Sequence, residues 1–275
     1  MKLDNKIIVI TGGAGVLCSA IARSLAKEGA RVALIGRTEK KVLALAEELK
    51  TAGAQAIGIG GNVSAEADIQ AALATIRAIW GDPDILINGA GGKNPLALTE
   101  TAFTPGELTG AAKGFFNIDM AALNEELEVN IQGTVIPSRI FGAAIAKKGK
   151  GSIINFASMN SYRPLSKAPG YAIAKAGIMN FTQWLAAYLA PAGIRVNAVA
   201  PGFFVNERSR KLLMTEDGGF SPRGQQVIAH TPMKRFGEAH EMSGAVRWLI
   251  DDDAAAFVTG ICVPVDGGFL ACSGL

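Results

Sequence analysis

Tyr171 and Lys175 stand four residues apart in Gly170-Tyr171-Ala172-Ile173-Ala174-Lys175. The stretch 169–192 is predicted to be a long helix, so a four-residue step puts both side chains on one face. A free phenol has a pKa of about 10 and is a poor acid at neutral pH. An ammonium held close lowers that value. A Tyr tuned in this way can give a proton to, or take one from, a hydroxyl or carbonyl oxygen. The pair alone is commonplace. Ser158, thirteen residues upstream, gives it weight, because it ends the apolar run Ser152-Ile153-Ile154-Asn155-Phe156-Ala157. Open α/β sheets place working side chains at strand ends.

The elements that must position this trio follow a regular alternation. Strand-sized apolar runs at 7–11, 31–35, 56–60, 84–88, 152–157, 195–199 and 261–265 are separated by helix-period segments near 16–29, 39–52, 65–80, 119–147, 169–192 and 239–252. Runs without alternation are expected of strands buried on both faces. Such a succession implies a doubly wound parallel sheet of seven strands with right-handed crossovers. No linker, repeat or low-complexity stretch divides the 275 residues, so a single domain over 1–275 is expected.

The first strand runs into Thr11-Gly12-Gly13-Ala14-Gly15-Val16-Leu17-Cys18 and then a helix. Glycines there let the backbone approach a pyrophosphate, and the helix N-terminus adds N–H groups and a positive dipole. Gly12, Gly13, Gly15, Val16 and Leu17 are therefore expected to hold a dinucleotide. A second strand selective for NAD usually ends in an acidic residue that holds the ribose diol. Here it ends in Gly36-Arg37, and Arg37 can pair with a 2′-phosphate. NADP(H) is therefore favoured over NAD(H), with Glu39 the residue that could reach the ribose instead. Asn62-Val63 and Asn88-Gly89-Ala90 end the third and fourth strands and are expected along the same dinucleotide. Turn chemistry alone also accounts for Asn and Gly there.

Charge and cysteine usage exclude other classes. The 27 basic and 24 acidic residues nearly balance and are scattered, which is no nucleic-acid footprint. Three widely spaced cysteines and two histidines match neither a disulfide framework nor a metal site. No run approaches the roughly 20 apolar residues that span a bilayer. A cytoplasmic protein is expected.

Taken in order, the motifs resemble those of the short-chain dehydrogenase/reductase family. They are Thr11-Gly12-Gly13, Asn88-Gly89-Ala90-Gly91, Asn130 in Val129-Asn130-Ile131, Ser158, Tyr171-x-x-x-Lys175, Arg195-Val196-Asn197 leading to Pro201-Gly202, and Val265-Asp266-Gly267-Gly268. The resemblance covers almost the whole chain and implies a Rossmann fold. It implies that Tyr171 is the general acid and base, and that Lys175 lowers its pKa and holds the nicotinamide ribose. Ser158 would donate to the substrate oxygen, Asn130 would anchor a relay water, and Pro201 and Gly202 would border the nicotinamide. It also implies a homotetramer or homodimer through the 169–192 helix, whose Phe181, Trp184 and Tyr188 need cover. The chain departs from the family pattern at Val16 and Cys18, where glycines are usual. The small Cys18 is expected to permit close helix–strand packing all the same.

The substrate side carries an insert at about 92–118, predicted to wall the pocket, and an irregular segment at about 203–226, predicted as a lid. Lys93, Asn94, Ser158, Asn160, Arg163, Phe203 and Arg208 are the candidate substrate residues, the basic ones suited to a carboxylate. The insert, Ser158–Leu165, Pro201-Gly202-Phe203-Phe204 and His230–Gly237 are similar to the branch acting as D-mannonate oxidoreductase (fructuronate reductase). That similarity implies an anionic, polyhydroxylated substrate. Two alternatives stay open. One is the same hydride chemistry on another sugar, polyol, oxoacyl or hydrophobic ketone. The other is a dinucleotide-binding sensor without turnover.

Overall fold

The computed structural model describes residues 3–100, 102–164, 167–205 and 207–272. The seven strands are β1 (Ile7–Thr11), β2 (Arg31–Gly36), β3 (Gln55–Gly60), β4 (Ile85–Asn88), β5 (Gly151–Phe156), β6 (Ile194–Pro201) and β7 (Cys262–Val265). They form one sheet in the order β3-β2-β1-β4-β5-β6-β7, every pair parallel. The seven predicted strands and the doubly wound single sheet are thus what the chain forms.

Residue alternation explains why β1 reads as an unbroken apolar run. Ile8 and Ile10 pack with α1 (Val16–Lys27) and α2 (Glu39–Thr51), and with α9 (Met242–Ile250) near the C-terminus. Ile7 and Val9 pack on the other face with α3 (Glu66–Ile79), α5 (Gly133–Ala146) and α6 (Pro169–Leu189). A strand covered on both faces has no polar side to alternate with. The order reverses where β1 lies between β2 and β4. That switch point opens a crevice at the carboxyl ends of the strands.

Two predicted elements differ. The 119–147 helix is interrupted: α4 (Met120–Leu127) passes through a π-helical turn, Glu128–Gln132, before α5 begins. Single π turns inside helices often mark functional positions. The 203–226 segment is not irregular throughout, since α7 (Glu207–Leu213) lies within it and α8 (Pro222–Ala229) begins in it. Each spans about two turns, too short for an apolar period to emerge. Ser221 caps α8 through its hydroxyl, with Pro222 at the first helical position.

The insert forms three short 3-10 turns, Pro95–Ala97, Pro105–Thr109 and Phe115–Asn117. Along α6, Phe181 stacks on Trp184 and Trp184 on Tyr188, with centroids 6.1 and 5.1 Å apart. Trp184 and Tyr188 are more than half exposed in the single chain. Among the described residues, no helix is long and apolar enough to cross a membrane.

Candidate active site

β1 delivers the glycine turn to the crevice. Gly12 adopts φ +63°, and a Cβ there would lie 2.8 Å from the Ala90 backbone. Gly15 caps α1 and donates its N–H to the Gly12 carbonyl at 2.8 Å. No side chain caps α1 and no acidic residue sits in its first turn. The first-turn N–H groups are therefore open at the positive end of a twelve-residue helix, which suits a pyrophosphate. The turn and the helix end fit a dinucleotide.

Cys18 settles the unusual glycine pattern. A Cβ added to Gly89 would stand 2.1 Å from the Cys18 sulfur, so α1 rests on β4 with that sulfur occupying the space above a bare glycine. The expected close packing is present, with the small side chain on one partner and none on the other. Burial pushes the Cys18 thiol up to about 12, with the Lys175 charge acting the other way. A thiol held that high is a packing group and not a nucleophile.

A cavity of about 270 Å³ opens beside this turn. Its walls bring together Leu17, Gly89, Lys93, Ser158, Asn160, Tyr171, Lys175, Pro201, Gly202 and Phe203. Ser158 stands two residues past the end of β5, as the strand-end reading required. Its hydroxyl oxygen accepts from the Asn160 backbone and side-chain amides, each at 3.2 Å. Two donors on one oxygen leave the Ser158 proton to be given elsewhere. Lys175 is buried and donates to the Phe156 carbonyl at 2.7 Å. Burial holds its ammonium down, at about 8, with the Cys18 charge acting the other way.

Tyr171 differs from the expectation. Its phenol is pushed above its ordinary value, first by burial, while a hydrogen bond from Ser158 lowers it and the Glu126 charge raises it. The Lys175 nitrogen lies 5.5 Å from the ring centroid. Burial leads that rise, so the phenol is kept protonated.

Asn130 occupies the π turn and is fully buried. Its amide donates to the carbonyls of Gly92 at 2.7 Å and Glu126 at 2.8 Å, and its oxygen accepts from the Gly92 N–H at 3.3 Å. Both amide hydrogens are thus committed to backbone, and only an oxygen lone pair remains for the expected water. Asn88 is turned beneath the site. Its amide donates to Ser138 and Asn155, which ties β4 to α5 and β5. Its side chain is a strut below the cavity floor, while Gly89 and Gly91 form that floor.

The remaining expected residues divide. Arg37 is exposed past the end of β2, with no ion pair among the described residues. The Glu39 side chain lies over Gly60. Asn62 closes a turn by accepting from the Ser64 N–H at 3.2 Å, and Val63 is buried against Gly133. Asn94 is spent on its own turn and on α4: its oxygen accepts from the Leu96 N–H and its amide donates to Glu125. Arg163 is not in the cavity, because it is exposed and donates to the Cys272 carbonyl at 3.1 Å. That correction follows from a long-range contact that local spacing does not reveal. The Arg208 side chain lies outside the described residues.

Sequence reasoning missed Glu126. It is buried, accepts from the Asn94 N–H at 2.5 Å, and faces Gly170 at the start of α6. The available signal was its position one helical turn before Asn130. It also missed Arg223, whose charge acts on Lys93.

Comparison with known proteins agrees with this geometry. A family model described as enoyl-(acyl carrier protein) reductase matches residues 13–270. The uncharacterized oxidoreductase UxuB of Bacillus subtilis (strain 168) is 43% identical over 274 residues, spanning 100% of this chain and 98% of that one. A crystal structure from Haemophilus influenza, provisionally assigned as a D-mannonate oxidoreductase and holding NAD, superposes with TM-score 0.94 at 41% identity, covering 100% of this chain and 98% of the other. A gluconate 5-dehydrogenase from Burkholderia cenocepacia J2315, in complex with NADP and tartrate, gives TM-score 0.83 at 27% identity over 98% and 97%. With the ordered motifs, the parallel sheet and the serine–tyrosine–lysine cavity on one crevice, the chain belongs to the short-chain dehydrogenase/reductase family and is an NAD(P)-dependent oxidoreductase.

Proposed function

We propose that the enzyme interconverts a ketone and a secondary alcohol on a sugar acid, D-fructuronate and D-mannonate being the expected pair. The observation that carries this reading is Lys93. Its ammonium hangs 4.7 Å from the centroid of the Tyr171 ring, with no ion-pair or hydrogen-bond partner among the described residues. A neutral ketone gives that charge nothing to meet. The Haemophilus relative's provisional assignment and the tartrate in the Burkholderia enzyme point to the same chemistry.

The dinucleotide would lie along the glycine turn, Asn62, Val63, Ala90, Pro201 and Gly202, with Lys175 toward its nicotinamide ribose. When bound, it supplies hydride to the substrate carbon in reduction and accepts it in oxidation. Tyr171 gives its proton to the developing alkoxide, and Ser158 donates a hydrogen bond to the same oxygen. The raised phenol suits the acid role. In oxidation Tyr171 takes the proton back, which requires the phenolate and so favours higher pH. Asn130 works through Gly92 and, at its free lone pair, through a water.

The ribose end is read for NADP(H), from the unpaired Arg37. Residues 92–118 are proposed as a pocket wall and 203–226 as a lid. The aromatic ribbon on α6 is proposed to be covered by a second copy in a homodimer or homotetramer; a monomer by sedimentation would end that part. The function itself is tested by following NADPH and NADH absorbance with D-fructuronate. Oxidation above a substrate-free blank is expected, and none with either nucleotide would overturn the substrate.

A further inference from the structure

The helix that carries Tyr171 begins without a cap of its own. In α6 the N-cap is Ala168, no side chain accepts there, and the first turn holds no acidic residue. Ala is among the poorest cap residues. The first-turn N–H groups of a helix have no carbonyl of that helix to meet, and they form its positive end. Helix α4 packs against α6 and brings Glu126 to this end. Glu126 is only 1% exposed. It lies against the bare Gly170, where a Cβ would stand 3.1 Å from its Oε1 and 3.4 Å from Leu123.

The two oxygens of Glu126 face different elements. Oε2 accepts from the N–H of Asn94, the neighbour of Lys93 in the insert, at 2.5 Å. Oε1 is buried at the start of α6 with no hydrogen-bond partner among the described residues. A buried acceptor without a donor is costly, and a buried carboxylate more so. The positive end of a 21-residue helix offsets that cost. The Tyr171 N–H also acts on the carboxyl, favouring its charged form. The backbone of Glu126 is held as well, since the Asn130 amide donates to its carbonyl at 2.8 Å. One carboxylate thus joins the insert to the turn that fixes Tyr171.

The charges around the phenol complete the picture. The Lys93 and Lys175 nitrogens lie 4.7 and 5.5 Å from the Tyr171 ring centroid. Two ammoniums so close favour a phenolate. Glu126 is the acidic group whose charge reaches the phenol, and it favours the proton. Cys18 keeps its proton and adds no charge, while Glu125 is exposed and taken up by the Asn94 amide. We propose that Glu126 is the positioning residue of the proton donor. It caps the Tyr171 helix from α4, ties that cap to the insert, and offsets the two ammoniums near the ring. The proposal rests on Tyr171 as the proton donor and does not depend on which carbonyl is reduced.

The test reads the Tyr171 phenol directly and needs no substrate. The chain has three tyrosines, Tyr162, Tyr171 and Tyr188. Subtracting the alkaline ultraviolet titration of Tyr171→Phe from that of the wild type isolates the Tyr171 phenolate. Saturating NADP+ or NAD+ is present, because its positive nicotinamide brings that titration toward neutral pH. Glu126→Gln keeps the shape and removes the charge, and should move the titration down by about half a pH unit or more. Glu126→Asp keeps the charge and should stay near the wild type. In D-fructuronate reduction Glu126→Gln should lower kcat by about tenfold with little change in KM, the scale of a small misplacement. Ala168→Ser offers the same first turn a neutral cap. Added to Glu126→Gln, it should return part of kcat and leave the titration where Gln put it. The double variant also carries the titration if the single one does not fold. A titration unmoved or raised by loss of the Glu126 charge overturns the proposal, as does Glu126→Asp shifting as far as Gln. No turnover of D-fructuronate discards that substrate alone, and the titration still decides. An unchanged kcat in Tyr171→Phe would instead end the reading on which the proposal rests.

Discussion

The side-chain amide of Asn160 donates to the hydroxyl oxygen of Ser158 at 3.2 Å, inside the cavity wall. This contact decides which way the serine proton points. With its lone pairs engaged by the Asn160 side chain and backbone, Ser158 has a single proton to give, to Tyr171 or, with substrate bound, to the substrate oxygen. The strand β5 fixes where Ser158 sits; Asn160 fixes what it can do there.

Asn160→Ala should therefore lower kcat by about tenfold, the value of one hydrogen bond that matters in the transition state. The loss is modest because the backbone N–H of residue 160 still reaches Ser158. Asn160→Asp should be worse than Ala, because a carboxylate accepts the serine proton and draws it from the substrate. Steady-state kinetics on the three enzymes gives the order, and an aspartate variant as active as wild type would contradict the orientation.

Tyr171→Phe should reduce kcat by about 10²-fold or more, the usual scale for a lost general acid. Nucleotide affinity, measured by fluorescence titration, should hold. The phenyl ring still packs under Lys93 while the proton is gone. An unchanged kcat would remove Tyr171 from the proposed role.

How far these residues could be read from the chain depends on the range of the contacts that set them. The seven strands were legible because burial on both faces leaves the same apolar run wherever it occurs, as in Ile7–Thr11. Ser158, Tyr171 and Lys175 were legible because a strand end and a four-residue helical step are local geometry. The side-chain ties of Asn94 and Arg163 were not. Asn94 is committed to α4, about thirty residues away, and Arg163 to Cys272, over a hundred away. α7 and α8 were missed because two turns hold too few apolar positions to show a period.

Arg37→Ala should weaken NADPH binding far more than NADH binding. The side chain is exposed past β2, so its removal disturbs no packing and the change in affinity reports the phosphate contact alone. The Haemophilus relative holds NAD, so both nucleotides need to be titrated. Equal loss for the two would assign the ribose to Glu39 or to backbone.

Gly89→Ala tests the packing that lets α1 approach the cleft. The new methyl would meet the Cys18 sulfur at 2.1 Å and the Thr11 carbonyl at 3.0 Å. Overpacking of this kind costs typically about 1–3 kcal/mol. Adding Cys18→Ala removes the closer clash and should recover part of the stability, though not the part owed to Thr11. Chemical denaturation of the single and double variants measures this. A double variant no more stable than Gly89→Ala would show that the sulfur is not what the methyl meets.

Lys175 links the site to the stability of the nucleotide-free protein. Its ammonium is held down to about 8, chiefly by burial, against an unfolded value near 10.4. Between those two values the unfolded chain carries the proton and the native one does not, so native stability gains with rising pH in that window. Below pH 8 both states are charged and the full cost of the buried ammonium is present. A Lys175→Met variant lacks that cost. It should exceed wild type in stability by at most about 3 kcal/mol at pH 7, the free-energy equivalent of such a shift, less whatever the Phe156 hydrogen bond returns. The gap should narrow steadily from pH 8 to 10.5. Urea denaturation of both proteins across that range reads it directly, and a gap that is constant with pH would mean the ammonium is not the group being relieved.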